Sequence, residues 1–307
     1  MNGEITSNTP PVIDVSVVAR LPRGRSLWKD AFYRFKKNRV AVICLGIVVF
    51  YALIALGAAI GLIANPWDAV VAEKYQPPSL SSIPMWMGTD FLGRSVFYKT
   101  LHGARIALSV GLISSLLSTP VGLILGALAG YFGGILDDFV VWLYTVLSSV
   151  PNFLLLMAIT YVLGKGMGAM YVALSITAWV SLARVIRGEV IKHKSRDYVV
   201  AAESLGASHF SRIFKHIIPN VSHFMIVNLS IQFIYAIKSE VILSFLGMGA
   251  VGQPSWGVMI DDAKMELTRS PSVWWQLAAA TVAVTVLLLA FTITGDAMRD
   301  ALDPKVK

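Results

Sequence analysis

The sequence predicts an all-α, polytopic membrane protein with six transmembrane helices. Of its 307 residues, 56% are hydrophobic and 14% charged, and the mean hydropathy is +0.67. Soluble domains carry about 25% charged residues. Six apolar runs reach the roughly 20 residues that a bilayer-crossing helix needs. The net charge of +8 sits beside those runs, where basic residues orient a membrane protein, so it does not point to nucleic acid. The single cysteine, Cys44, lies inside an apolar run and excludes a disulfide framework within the chain.

The spans fall at roughly 40–64, 105–130, 138–163, 167–187, 220–246 and 273–296. Residues 1–25 lack periodicity, hold three prolines, and are expected to form a poorly ordered cytosolic N-terminus. Residues 26–39 mix aromatic and basic side chains and read as an interfacial helix on the inner leaflet, or as a simple basic anchor. The first span follows Arg20, Arg23, Arg25, Lys29, Arg34, Lys36, Lys37 and Arg39, with only Asp30 against them. That arm is expected in the cytoplasm. A retained span is expected there, since the run starts late and is too long for an ordinary cleaved signal.

Residues 65–104 form the longest outer segment, broken by Pro66, Pro77, Pro78 and Pro84. The domain division is therefore 1–25, 26–104 (interfacial helix, first span and outer loop) and 105–303 (the remaining spans). In the second span Gly122, Gly126 and Gly130 share one face, which permits close helix packing. A second basic cluster, Arg184, Arg187, Lys192, Lys194, Arg196, Arg212 and Lys215, lies between spans four and five. With six spans it shares a side with the arm and with Arg299, Lys305 and Lys307, so both termini are expected inside.

No G-x-x-x-x-G-K-[ST] loop and no H-E-x-x-H motif is present. His209, His216 and His223 recur every seven residues, which spaces them about 10 Å apart along an axis, too far for one metal ion. Asp137-Asp138 and Asp261-Asp262 read as span ends. No metal site is expected. Lys238 and Glu240 lie late in span five, two residues apart, so they point in different directions and each needs its own partner. Glu240, with Ser244 one turn on, either faces a polar pathway or a subunit interface, or sits near the outer boundary.

The loop 198–219 is the most distinctive segment. Gly206 can end one short helix in a left-handed cap and Ser208 can start another. Phe210, Ile213, Phe214 and Ile217 then fall on one apolar stripe, and Pro219 is expected to stop that helix before span five. Ala201 and Ala202 leave a bare surface for a partner's groove. The other reading is a re-entrant loop packed on its own spans.

This loop resembles the coupling signature E-A-A-x-x-x-G-x(9)-I-x-L-P of ABC-importer permeases. Here it runs Val200-Ala201-Ala202, Gly206, then His216-Ile217-Ile218-Pro219, with Val200 in place of the glutamate, His216 in place of the isoleucine and Ile218 in place of the leucine. Three further stretches resemble the C-type membrane subunit of the oligopeptide/dipeptide (and nickel) transport family. They are Gly88-Thr-Asp90-Phe-Leu-Gly93-Arg94 with Gly103-Ala-Arg105, Glu240 through Gly249, and Gln253-Pro-Ser255-Trp256-Gly257. Many members carry aspartate after Gly-Arg; here it is Ser95.

The resemblance implies the type I importer permease fold in the cytoplasmic (inner) membrane, with cytosolic coupling helices between spans four and five. It implies a homologous second permease, two ABC ATPase subunits that bind ATP and Mg, and an extracytoplasmic peptide-binding protein. This chain would itself hold no cofactor and catalyse nothing. The implied coupling residues are Ala201, Ala202, Gly206, Ala207, Phe210, Phe214 and Pro219. Oligopeptide or dipeptide is the expected substrate; the alternatives are nickel or another small solute, and, outside the family, a stand-alone channel. A membrane-embedded enzyme would need paired acids or a metal cluster at one depth, and the sequence offers neither.

Overall fold

The computed structural model describes residues 27–249 and 252–302; the expectation for residues 1–25 lies outside them. Regular structure among these residues is helical apart from two isolated bridges, Val70 with Arg94 and Thr89 with Ser95. Helix α1 (Leu27–Lys37) gives way at Asn38, whose side chain accepts the Ala41 N–H at 3.1 Å and caps α2 (Arg39–Ala59).

Helix α3 (Val96–Phe132) has 37 residues, a length of about 55 Å, and starts well before the expected 105. Ser95 sets that start. Its hydroxyl oxygen accepts the Tyr98 N–H at 3.2 Å while its O–H donates to the Pro84 carbonyl at 2.6 Å. Serine and aspartate cap helices about equally well, so the departure from Gly-Arg-Asp keeps the cap.

The expected third span, 138–163, is not one straight helix. It is broken into α4 (Gly134–Ser149) and α5 (Asn152–Val162), which meet at 89°. Pro151 supplies no N–H to the ladder and drives Val150 into an extended conformation, φ −91° and ψ 135°. Counted with this bent pair as one span, six segments among the described residues are long and apolar enough to cross a membrane; five are unbroken helices.

Helix α6 (Met167–Lys194) packs along α3 through the glycine face. A Cβ added at Gly122, Gly126 or Gly130 would lie 2.7, 2.6 or 2.7 Å from the carbonyl oxygens of Trp179, Ala183 and Arg187. Each glycine thus meets successive turns of α6 backbone, closer than any side chain allows.

After α7 (Asp197–Ser204) comes α8 (His209–Phe245), a second 37-residue helix. Here the expectation that Pro219 ends a separate short helix is corrected. Pro219 lies in the first turn of regular α-helix, and residues Arg212–Ile217 before it form a π-helical turn. Proline cannot donate to the Lys215 carbonyl and its ring would clash with it in a tight turn. The widened turn accommodates that missing bond and lets the helix run through. Helices α9 (Trp256–Leu267) and α10 (Trp275–Leu302) complete the described fold. One core, with Val96, Ala107, Ile237, Trp256, Met259 and Leu287, ties α3, α8, α9 and α10 together at one end. Another, with Tyr131, Ile186, Val199, Ile213 and Ile217, ties α3, α6, α7 and α8 at the other.

Candidate functional site: a capped apolar surface between two spans

Helix α7 ends in a Schellman motif. The Ala207 N–H donates to the Ala202 carbonyl at 3.0 Å and the Gly206 N–H to the Glu203 carbonyl at 2.9 Å, with Gly206 at φ +83°. Only glycine adopts that backbone without strain. Ser208 follows at once as the N-cap of α8, its hydroxyl oxygen accepting the Ser211 N–H at 3.3 Å. The chain therefore reverses between two helices with few free torsions.

The expected single stripe of Phe210, Ile213, Phe214 and Ile217 splits in two. Ile213 and Ile217 are fully buried in the core, while Phe210 is 65% and Phe214 44% exposed. The two phenyl rings stack, with centroids 6.3 Å apart and planes 8° from parallel. Val200 and Leu205 are also exposed. Ala201 and Pro219 are exposed, Ala207 is half-buried, and Ala202 is buried beneath the turn. The stacked phenyl pair is thus the exposed apolar surface here, and Ala201, Gly206 and Pro219 are exposed as well.

That surface is bolted to the spans. Buried Arg212 pairs with Glu203 at 2.5 Å, joining α8 to α7. Its guanidinium also donates to His209 Nδ1 at 2.9 Å and lies over the Tyr131 ring at 5.7 Å. The Tyr131 hydroxyl donates to the same His209 nitrogen at 3.1 Å, and the Lys194 ammonium lies 5.5 Å from the centroid of that ring. So the last turns of α3 and α6 and the first turn of α8 converge on Tyr131. His209 serves here as a hydrogen-bond acceptor.

Glu240 and Ser244 lie within the chain, Glu240 with no exposure, and the Ser244 hydroxyl donates to Glu240 Oε1 at 2.7 Å. A Cβ at Gly257 would lie 2.3 Å from the Val241 carbonyl oxygen, so the start of α9 closes over this pair. Lys238 is exposed and makes no pair with Glu240, as the two-residue spacing requires.

Sequence reasoning missed a buried charge cluster at the opposite end of α3, about 50 Å from Tyr131. Lys99, 1% exposed, donates to Asp90 Oδ2 at 3.0 Å, Gln276 Oε1 at 3.0 Å and Asp262 Oδ2 at 3.4 Å. Asp90 also accepts the Leu92 and Arg94 backbone N–H groups and the Arg94 side chain. Burial alone would raise the Asp90 pKa, but the Lys99 charge and the Arg94 bonds outweigh it and hold it below the usual range. Glu266 is buried in α9 beside the cluster without a comparable partner, and burial pushes its pKa up to about 7. The same cluster explains Gly88 and Trp275: the indole N–H donates to the Thr89 carbonyl at 3.0 Å, and a Cβ at Gly88 would lie 2.9 Å from that indole nitrogen. Likewise Gly103 leaves room for Trp256, whose N–H donates to the Thr100 carbonyl at 3.0 Å.

Residues 122–307 match the family described as binding-protein-dependent transport system inner membrane component, a range that includes the whole of this capped surface. The chain belongs to this family. Residues 26–78 of the permease match a second description, the N-terminal TM domain of oligopeptide transport permease C. The permease is 35% identical over 286 residues to the oligopeptide transport system permease protein OppC of Bacillus subtilis (strain 168), covering 93% of this chain and 92% of that one. It is 37% identical over 286 residues to the dipeptide transport system permease protein DppC of the same organism, covering 92% and 87%. Among solved structures it is similar to an inward-facing MetNI methionine ABC transporter, with TM-score 0.56 at 17% identity over 68% of this chain and 98% of that one. That likeness establishes the fold. In this permease Val200 makes the start of the surface apolar, and Glu203, on the last turn of α7, pairs with Arg212.

Proposed function

We propose that this chain is the transmembrane permease subunit of an ATP-driven importer for oligopeptides or dipeptides. In this reading the chain pairs with a homologous second permease in the cytoplasmic (inner) membrane, with both termini cytosolic. Two ATPase subunits, which bind ATP and Mg, dock on the coupling loops of the permease pair, one of them on the surface formed here by Val200, Leu205, Phe210 and Phe214. An extracytoplasmic binding protein delivers the peptide. The substrate reading is supported by the kinship with oligopeptide and dipeptide permeases over nearly the whole chain.

One observation carries the coupling role. The exposed phenyl pair stands on a helix that continues without interruption into a membrane span. Force applied at Phe210 and Phe214 reaches α8 directly, and reaches α3 and α6 through Arg212, His209 and Tyr131. A hinge at Pro219 would have dissipated it. Burying the exposed phenyl surface against a partner supplies roughly 2–3 kcal/mol, enough to hold a groove in register. The spans then rock as rigid bodies between two states when the ATPases close. The chain contributes position and leverage, and the chemistry of hydrolysis belongs to the partners.

The test is reconstitution of the complete complex in proteoliposomes. ATP-dependent uptake of a di- or tripeptide that requires the binding protein supports the reading. Uptake of nickel in preference to peptide would replace the substrate, and ATP hydrolysis by this purified chain alone would overturn the division of labour.

A further inference from the structure

Between the broken pair α4–α5 and the helices α6 and α8 lies a cavity of about 580 Å³, within the range of small-molecule sites. Its lining mixes apolar walls with Ser148, Asn152, Thr177, Ser181 and Tyr235. One charged side chain enters it, Arg184 of α6, which is exposed and has no ion-pair partner among the described residues. The neighbouring Arg187 pairs with Asp137 at 2.5 Å; Arg184 has no carboxylate partner among the described residues. Instead its guanidinium is aimed: one nitrogen donates to Ser148 Oγ at 2.7 Å, and the plane sits 4.7 Å over the Tyr144 ring. Both holding residues lie on the last turns of α4, just before the 89° break at Pro151. With one donor used, the rest of the five-donor fork is left to grip a carboxylate in two places at once.

The geometry points to a subsite in which Arg184 binds the C-terminal carboxylate of a short peptide as it passes through the permease. Ser148, Asn152, Thr177 and Ser181 lie where hydroxyl and amide groups can meet the peptide backbone, and Pro151 and Tyr235 wall the side chains. A peptide suits this lining better than a lipid phosphate does, because Asn152, Thr177, Ser181 and Gln232 set amide and hydroxyl groups among otherwise apolar walls. The inference rests on the peptide-import reading above.

The experiment uses the complete transporter in proteoliposomes, with trialanine and trialanine amide as probes, each at a concentration that saturates the external binding protein. Wild type is compared with Arg184→Gln and Arg184→Lys in complexes shown by gel filtration to be intact. Arg184→Gln is expected to lower trialanine uptake about tenfold or more, the loss of one charge-assisted contact, with the amide's rate unchanged. Arg184→Lys is expected to retain an intermediate rate. An equal loss for both peptides, or no loss for either, overturns the subsite while leaving the importer reading intact. A difference between wild type and Arg184→Gln that vanishes in vesicles lacking anionic lipid assigns Arg184 to a lipid headgroup and also overturns it. A wild-type complex that moves neither peptide overturns the import reading and the subsite together.

Discussion

Replacing Lys99 by methionine removes the cation enclosed in the buried charge cluster while nearly keeping its volume. Three acceptors lose a donor: Asp90 Oδ2 at 3.0 Å, Gln276 Oε1 at 3.0 Å and Asp262 Oδ2 at 3.4 Å. Asp90 keeps Arg94 and two backbone donors, so it stays charged and satisfied. Asp262 loses its ion pair outright, and its side chain is only 22% exposed. Breaking a buried pair costs about 3–5 kcal/mol. The surviving Arg94 contacts place Lys99→Met at the lower end, about 3 kcal/mol. In a chain of this size that lowers the unfolding midpoint by roughly 5 °C. The assay is thermal unfolding of the purified complex, followed by tryptophan fluorescence, since Trp256 and Trp275 lie in this core. Adding Asp262→Asn to Lys99→Met should recover at least about 1 kcal/mol, because the orphaned charge is then gone. A midpoint unchanged by Lys99→Met, or a double variant less stable than the single one, would refute the charge-balance reasoning.

Gly126→Ala should destabilise the α3–α6 seam by about 1–3 kcal/mol, since the methyl meets the Ala183 carbonyl oxygen at 2.6 Å, whereas Gly46→Ala, with nothing within 4 Å, should be neutral; expression and unfolding midpoints of the pair check this. Gly206→Ala meets no atom within 4 Å, so its cost is the left-handed backbone alone, about 1 kcal/mol, read as faster proteolysis at the α7–α8 turn without loss of the complex. Glu266 gives a pH signature. Its folded pKa of about 7 exceeds the ordinary 4.5, so between those values the folded chain keeps a proton that the unfolded chain has released. Stability therefore falls as pH rises through that window, by up to roughly 3 kcal/mol. Glu266→Gln should match wild type near pH 5 and exceed it at pH 7.5 in thermal unfolding; parallel pH profiles would contradict the assignment.

Hydropathy located the apolar runs, because a membrane helix advertises itself in composition, but it misjudged helix ends such as the start of α3 at Val96. The glycine register of Gly122, Gly126 and Gly130 was legible for the same reason: it is local and periodic. The Gly206–Ser208 turn was legible because glycine and serine have few competing uses between two helices. The break of the third span was signalled by Pro151, which hydropathy averages away. Pro219 misled in the other direction. A proline reads as a stop, yet a π-helical turn before it relieves the clash, and no residue pattern announces that turn. The split of the phenylalanine–isoleucine stripe follows from the core packed beneath it, which periodicity does not encode. The Lys99 cluster was invisible because Asp262 and Gln276 lie more than a hundred residues away along the chain, as their separations of 163 and 177 show. A lysine beside an apolar run looks like a span boundary until its partners are known.

The central claim is that Phe210 and Phe214 form the surface on which an ATPase subunit docks. Both are exposed, so Phe210→Ser with Phe214→Ser should leave the fold of this chain undisturbed. The most direct measurement is co-purification of the tagged chain from its native membrane, wild type against this double variant. The account predicts that the variant still brings the second permease but recovers less ATPase than wild type, having lost the copy docked on this chain. ATPase recovery equal to that of wild type would contradict it.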